Sequence, residues 1–208
     1  MIMQDTGWVA VSEFMRNPAM VGSAFPASAK MVKRILEPLD WANIKLLIEY
    51  GPGSGRFTFE ALRRMRPDAR LMAIETGEEF AGKLRSHCDD PRLIVVSGSA
   101  RDVNRYRATR DLPLADCVLT GLPFSTLEPG EGEAIMRETA AAMAPGGMLA
   151  AYQMRTTIEP LIARNFGRMT HDYEWWNIPP CHVYWAKDPL PAAPRDGSAA
   201  GAELAAYA

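Results

Sequence analysis

Glu49, three glycines at positions 51, 53 and 55, and a second carboxylate at Glu75 are the residues whose types and spacing could do chemistry. The glycines alternate in the segment Glu49-Tyr50-Gly51-Pro52-Gly53-Ser54-Gly55. Glycine enters positive φ without a steric penalty and lets a ligand approach where a Cβ would otherwise stand. A helix that begins just after such a loop offers free N–H groups to an anion. Glu75 follows Gly55 by 20 residues, at the end of an apolar run, where a carboxylate can accept both hydroxyls of a ribose. The two features together describe a cradle for a nucleotide-type ligand.

Short apolar runs and helical stripes must position these residues. Leu46, Leu47 and Ile48 form a strand ending on Glu49, and Phe57, Ala61, Leu62 and Met65 then recur at helical spacing up to Pro67. Leu71 to Ile74, Leu93 to Val96, Ala115 to Thr120 and Met148 to Met154 read as further strands. Between them lie helical faces carrying Phe80, Leu84 and Cys88, then Ile135, Met136, Thr139 and Met143, the latter closed by the turn Pro145-Gly146-Gly147. Five strands alternating with helices imply a parallel, doubly wound sheet. Ligands sit at the carboxyl ends of strands in such sheets, so Glu49, Gly51 to Gly55, Glu75, Ser99 to Asp102 and Gly121 to Phe124 are expected on one rim.

The flanks have a different character. Ser28 can cap a helix bearing Met31, Val32, Ile35, Leu36 and Leu39, with Lys30, Lys33 and Arg34 on its other face. Residues 1–21 are weakly amphipathic and suit a helix packed on the domain, a lid, or a membrane-surface segment. After a last helical stripe (Ile158, Leu161, Ile162, Phe166), two aromatic-rich runs, Tyr173 to Ile178 and His182 to Lys187, are split by Pro179-Pro180 and read as a strand pair at a sheet edge. The expected architecture is therefore α/β: a Rossmann-like doubly wound sheet, mostly parallel with an antiparallel edge pair, plus N-terminal helices. One domain is expected over residues 1–188, with 1–40 as the helical lid or membrane-association segment and 189–208 as a flexible tail.

With 208 residues, 48% of them apolar and 23% charged, the chain suffices for one full α/β core. The net charge of -2 supplies no general attraction to nucleic acid. Cys88, Cys117 and Cys181 lack a paired spacing and read as reduced thiols, and no cluster suits a metal. No apolar run approaches the roughly 18 residues of a spanning helix, and a secretory signal pattern is missing. A cytoplasmic protein is expected.

The loop spacing, Glu-x-Gly-x-Gly-x-Gly, resembles motif I of the class I S-adenosylmethionine-dependent methyltransferases, and the order of strands and motifs is similar up to about Lys187. The resemblance implies S-adenosylmethionine as cofactor and S-adenosylhomocysteine as product. It assigns Gly51, Gly53 and Gly55 to the methionine part, Glu75 to the ribose, and Ser99, Ala100 and Thr76, with Asp102 as a further candidate, to the adenine. Glu49 would order the loop and the cofactor's amino group, and Gly121 would line the same pocket. Three segments refine this: Phe14-Met15-Arg16-Asn17-Pro18 with Val21 to Ser28, Gly121-Leu122-Pro123-Phe124, and Asn177-Ile178-Pro179-Pro180-Cys181-His182-Val183-Tyr184. They resemble bacterial phospholipid N-methyltransferases, relatives of the ribosomal RNA adenine dimethyltransferases. The RNA enzymes' pattern places Asn where Gly121 stands. Glycine cannot accept an adenine N–H, which argues against RNA.

An aliphatic amine needs chiefly alignment and loss of a proton to accept a methyl group. A growing quaternary ammonium favours aromatic faces, and Phe124, Tyr152 and Tyr184 are the candidate catalytic aromatics. His171 and His182 are possible proton acceptors, although an isolated histidine in a strand is more often structural. The resemblance thus implies transfer to the amine headgroup of a phospholipid, phosphatidylethanolamine and its methylated intermediates, by a protein peripherally associated with an anionic membrane surface. Methylation of ribosomal RNA adenine, of a small molecule, or cofactor binding without catalysis are the competing readings.

Overall fold

The computed structural model describes residues 27–191. The expected N-terminal amphipathic segment, most of the lead-in resemblance, and nearly all of the expected tail lie outside the described residues.

The first described helix, α1 (Ala29–Leu36), begins where Ser28 accepts the N–H of Met31 at 3.1 Å, as its sequence position suggests. Then come β1 (Leu46–Tyr50), α2 (Arg56–Arg64), β2 (Arg70–Glu75), α3 (Glu78–His87), β3 (Leu93–Ser97), α4 (Val103–Ala108), β4 (Ala115–Thr120), α5 (Glu131–Ala142), β5 (Met143–Gln153), α6 (Glu159–Asn165), β6 (Phe166–Glu174) and β7 (Cys181–Pro189). They form one seven-stranded sheet in the order β3-β2-β1-β4-β5-β7-β6. β1 to β5 are mutually parallel, and β7 runs antiparallel to both β5 and β6. This is the expected mostly parallel sheet with an antiparallel edge pair.

Each parallel strand is apolar on both faces because helices cover both. Alternate residues of β1 divide between two cores. Leu46, Ile48 and Tyr50 pack with Val103 of α4, Ile135 and Met136 of α5, and Ile162 of α6. Leu47 packs with Met31 and Ile35 of α1, Phe57 and Leu62 of α2, and Leu84 of α3. The result is a three-layer arrangement whose free rims are strand ends.

Three boundaries differ from expectation. Phe166 starts β6 instead of ending a helix, and most of the run Tyr173 to Ile178 is the turn between β6 and β7. β6 is an edge strand with Gly167, Arg168, Thr170, His171 and Asp172 exposed, so no apolar alternation announces it. Pro145-Gly146-Gly147 does not end before β5. It bulges within it, the ladder passing from Ala115 opposite Met143 to Cys117 opposite Met148.

Candidate active site

The sheet order reverses between β1 and β4, the neighbours from which the chain winds outward in both directions. At such a switch point the connections diverge and leave a crevice at the carboxyl rim. The loops after β1 and β4 meet there. Gly51, Gly53 and Gly55 take φ values of 67°, 50° and 76°. A Cβ on Gly51 would stand 3.2 Å from Leu122 of the second loop, and one on Gly55 only 2.7 Å from the Phe59 ring. Side chains are therefore disfavoured at Gly51 and Gly55, whose backbone is left to face a ligand.

Glu75 ends β2 beside this turn. One carboxylate oxygen accepts the N–H of Gly53 at 3.3 Å and the other that of Gly77 at 3.0 Å, so the side chain is aimed into the loop with lone pairs to spare. Thr76 next to it is exposed. Across β3, Ser99 accepts the N–H of Arg101 at 3.2 Å and caps a single 3₁₀ turn. Ala100 is packed into the core with Val103. The glycine turn, Glu75, Thr76, Ser99 and Gly121 are thus at or just beyond the ends of β1 to β4, on one rim.

Glu49 is buried, with 3% of its surface exposed, and accepts the hydroxyl of Thr58 at 2.5 Å. Burial pushes its pKa up to about 7, the Thr58 hydrogen bond pulls it down, and the negative charge of Glu75 adds to the rise. A carboxylate held near neutrality under a glycine turn is poised to ionise when a cation arrives. Thr58 escaped the sequence reading because a threonine inside a helix gives no pattern of its own.

Gln153 also went unread. Its amide nitrogen donates to the Leu122 carbonyl at 2.6 Å, and its oxygen accepts the Phe124 N–H at 3.4 Å. This buried amide pins the 121–124 loop to the end of β5. Gly121 is needed for a different reason: the Tyr152 hydroxyl lies 2.1 Å from where its Cβ would be.

The three candidate aromatics do not form one cage. Tyr152 is opposite Val183 and Tyr184 is opposite Ala151, so the two tyrosines project from opposite faces of the sheet. Tyr152 stacks on Phe57 at 4.9 Å between ring centroids, and burial, with Glu49 nearby, pushes its phenol pKa up. It alone of the three abuts Gly121 on the α2 side. Tyr184 is fully buried, stacks on His171 and reaches Glu159 at 3.4 Å. Phe124 is 5% exposed and packs in the same core as Tyr184. His171 and His182, read as isolated, are hydrogen-bonded to each other at 2.9 Å on the Tyr184 face. Arg34 bonds Asp172 and Glu174.

No family model matches the chain. An ornithine lipid N-methyltransferase of Singulisphaera acidiphila is 25% identical over 85% of this chain and 93% of its own length. An O-methyltransferase of Bacillus cereus, solved in complex with SAH, superposes with a TM-score of 0.63 at 13% identity, covering 90% of this chain and 93% of that one. Human N-acetylserotonin methyltransferase in complex with SAM superposes at 0.57 and 13% identity over 76% of this chain and 51% of that one. The fold is that of the class I S-adenosylmethionine-dependent methyltransferases.

Proposed function

We propose that this chain is an S-adenosylmethionine-dependent N-methyltransferase acting on the amine headgroup of a membrane lipid. The observation that carries the cofactor is the convergence of the Gly51–Gly55 turn and the Glu75 carboxylate at the β1/β4 switch point. Support for the acceptor comes from the similarity, over most of both chains, to an ornithine lipid N-methyltransferase. Phosphatidylethanolamine and its partly methylated forms, suggested by the sequence motifs, and ornithine lipid share one chemistry, an aliphatic amine on a lipid.

When bound, S-adenosylmethionine supplies a methyl group activated on a sulfonium. Gly51, Gly53 and Gly55 would hold its methionine part, Glu75 its ribose hydroxyls, and Ser99, Ala100 and Thr76 the adenine end. Glu49, in its ionised form, would face the cofactor's ammonium and hold that end of the loop. Gln153 keeps Leu122 to Phe124 in place as the floor on which the acceptor rests. The chemistry the cofactor would supply is transfer of that methyl to the lone pair of a neutral aliphatic amine, with the bonding electrons returning to sulfur; a primary or secondary amine would then shed one proton, a tertiary amine none. Tyr152, beside Gly121 and Glu49, is the aromatic best placed to face the resulting cation. An aromatic face beside the 121–124 loop suits an amine, and Gly121 provides no acceptor for an adenine amino group.

The test is methylation by the purified protein, with methyl-labelled cofactor, of vesicles containing phosphatidylethanolamine, vesicles containing ornithine lipid, and a ribosomal RNA transcript. Label in either lipid and none in the RNA is the expected result. Label only in RNA, or none anywhere despite cofactor binding, would overturn the proposal.

A further inference from the structure

The turn between β6 and β7 carries the most exposed large apolar side chains of the described residues: Trp175 and Trp176 at 73% and Ile178 at 80%. The turn itself is firmly held. Buried Asn177 accepts the N–H of Ser28 at 2.9 Å and donates to the Pro179 carbonyl at 2.8 Å. Buried Glu174 accepts the Trp176 N–H at 2.9 Å and the Arg34 guanidinium at 3.3 Å. A fixed turn that leaves two indoles and an isoleucine in water has no folding reason to do so.

Its position adds to this. β7 is antiparallel to β5 and to β6, so β6 runs in the direction of β1 to β5. The β6–β7 turn therefore lies on the same carboxyl rim as the glycine turn and the 121–124 loop. Lys30 stands over the Trp176 ring at 4.3 Å, and Lys33 is exposed one turn further along α1.

We infer that Trp175, Trp176 and Ile178 are a membrane-inserting tip that seats the active-site rim on the lipid surface, with Lys30 and Lys33 against anionic headgroups. This rests on the aminolipid reading above. Indoles partition to the boundary between headgroups and acyl chains, where ring and N–H are both satisfied. A protein partner is the weaker occupant, because three side chains at one turn fall well short of the roughly 800 Å² per partner of a stable interface. Insertion at the rim brings the crevice to headgroup height, so an amine is reached without the lipid leaving the bilayer.

The experiment compares the full chain with a double variant, Trp175→Ser with Trp176→Ser, and with Lys30→Glu. Binding is read by sedimentation with vesicles of phosphatidylethanolamine and phosphatidylglycerol, and by quenching of tryptophan fluorescence by lipids brominated on the acyl chain. S-adenosylhomocysteine affinity reports folding. The wild type should sediment with vesicles and be quenched; the double variant should bind at least about tenfold more weakly and lose methylation of vesicle lipid in proportion. Its turnover on a short-chain aminolipid dispersed as monomers should remain within about twofold, since the crevice is untouched. Lys30→Glu should weaken binding in a salt-dependent way. Unquenched indoles in the wild type, or equal vesicle binding by the double variant, would overturn the inference. Quenching and variant-sensitive binding without methylation of any lipid would support the tip while refuting the aminolipid activity.

Discussion

Glu49→Gln isolates the electrostatic strain under the glycine turn. The wild-type carboxyl rises from its ordinary 4.5 to about 7 on burial. At about 1.4 kcal/mol for each tenfold in proton affinity, this corresponds to about 3 kcal/mol. The folded pKa is raised, so the contribution of this group to stability is whole below the unfolded value near 4.5 and is lost as pH rises through about 7. Glutamine keeps the volume and can still accept the Thr58 hydroxyl, but cannot ionise. Urea unfolding at pH 5, 6, 7 and 8 should show the variant near wild type at pH 5 and more stable by about 1–3 kcal/mol at pH 8. A ligand ammonium would offset the buried charge in the wild type alone. Its affinity for S-adenosylhomocysteine should therefore tighten between pH 6 and 8, while the variant binds weakly with little pH dependence. Parallel stability curves for the two proteins across this range would refute the assignment of a near-neutral pKa to Glu49 and its coupling to the cofactor.

Glu75→Gln should weaken S-adenosylhomocysteine by about tenfold or more, because a carboxylate accepts hydroxyl hydrogen bonds more strongly than an amide; calorimetric titration measures it. Gly55→Ala would hold a non-glycine residue at φ 76° and also displace the Phe59 ring 2.7 Å away, at a cost of about 1–3 kcal/mol, seen as a lower urea midpoint and reduced cofactor affinity. Gln153→Ala leaves the Leu122 carbonyl and the Phe124 N–H without their partner. A loss of about 1–3 kcal/mol is expected, with acceptor KM rising more than cofactor Kd.

The legible parts of this molecule are those where burial writes a pattern. β1, β2 and β4 lie between two helical layers, so Leu46 to Ile48, Leu71 to Ile74 and Cys117 to Leu119 had to be apolar runs. The glycine turn was readable because sterics at positive φ restrict the residue type. β6 was misplaced because its faces are exposed and because Phe166 happens to continue the spacing of Ile158 and Ile162, both buried in the same core. The separation of Tyr152 from Tyr184 was not readable, since it depends on which residue of β7 falls opposite Ala151. A shift of one residue would put both on one face. Gln153 and Thr58 act through single hydrogen bonds to loops or carboxylates, and single polar contacts have no period.

The antiparallel β7 matters to function for a topological reason. Had β6 and β7 both continued the parallel sheet, their connection would have crossed back over one face, and its turns would have been divided between the two rims. One reversed strand instead makes the connection a hairpin and places its whole turn on the carboxyl rim. The same reversal sets β6 beside α1, where Arg34 on Asp172 and Glu174, and Ser28 on Asn177, tie the start of the chain's described part to that turn. The described part of the chain therefore begins next to the turn that carries the exposed indoles. A cut of the Ser28 to Asn177 link by Asn177→Ala should thus loosen the turn and the chain entry together. Hydrogen exchange should quicken at both residues 28–32 and 174–181, with the β1 to β4 strands unchanged; faster exchange at only one of the two would show that they are not mechanically joined.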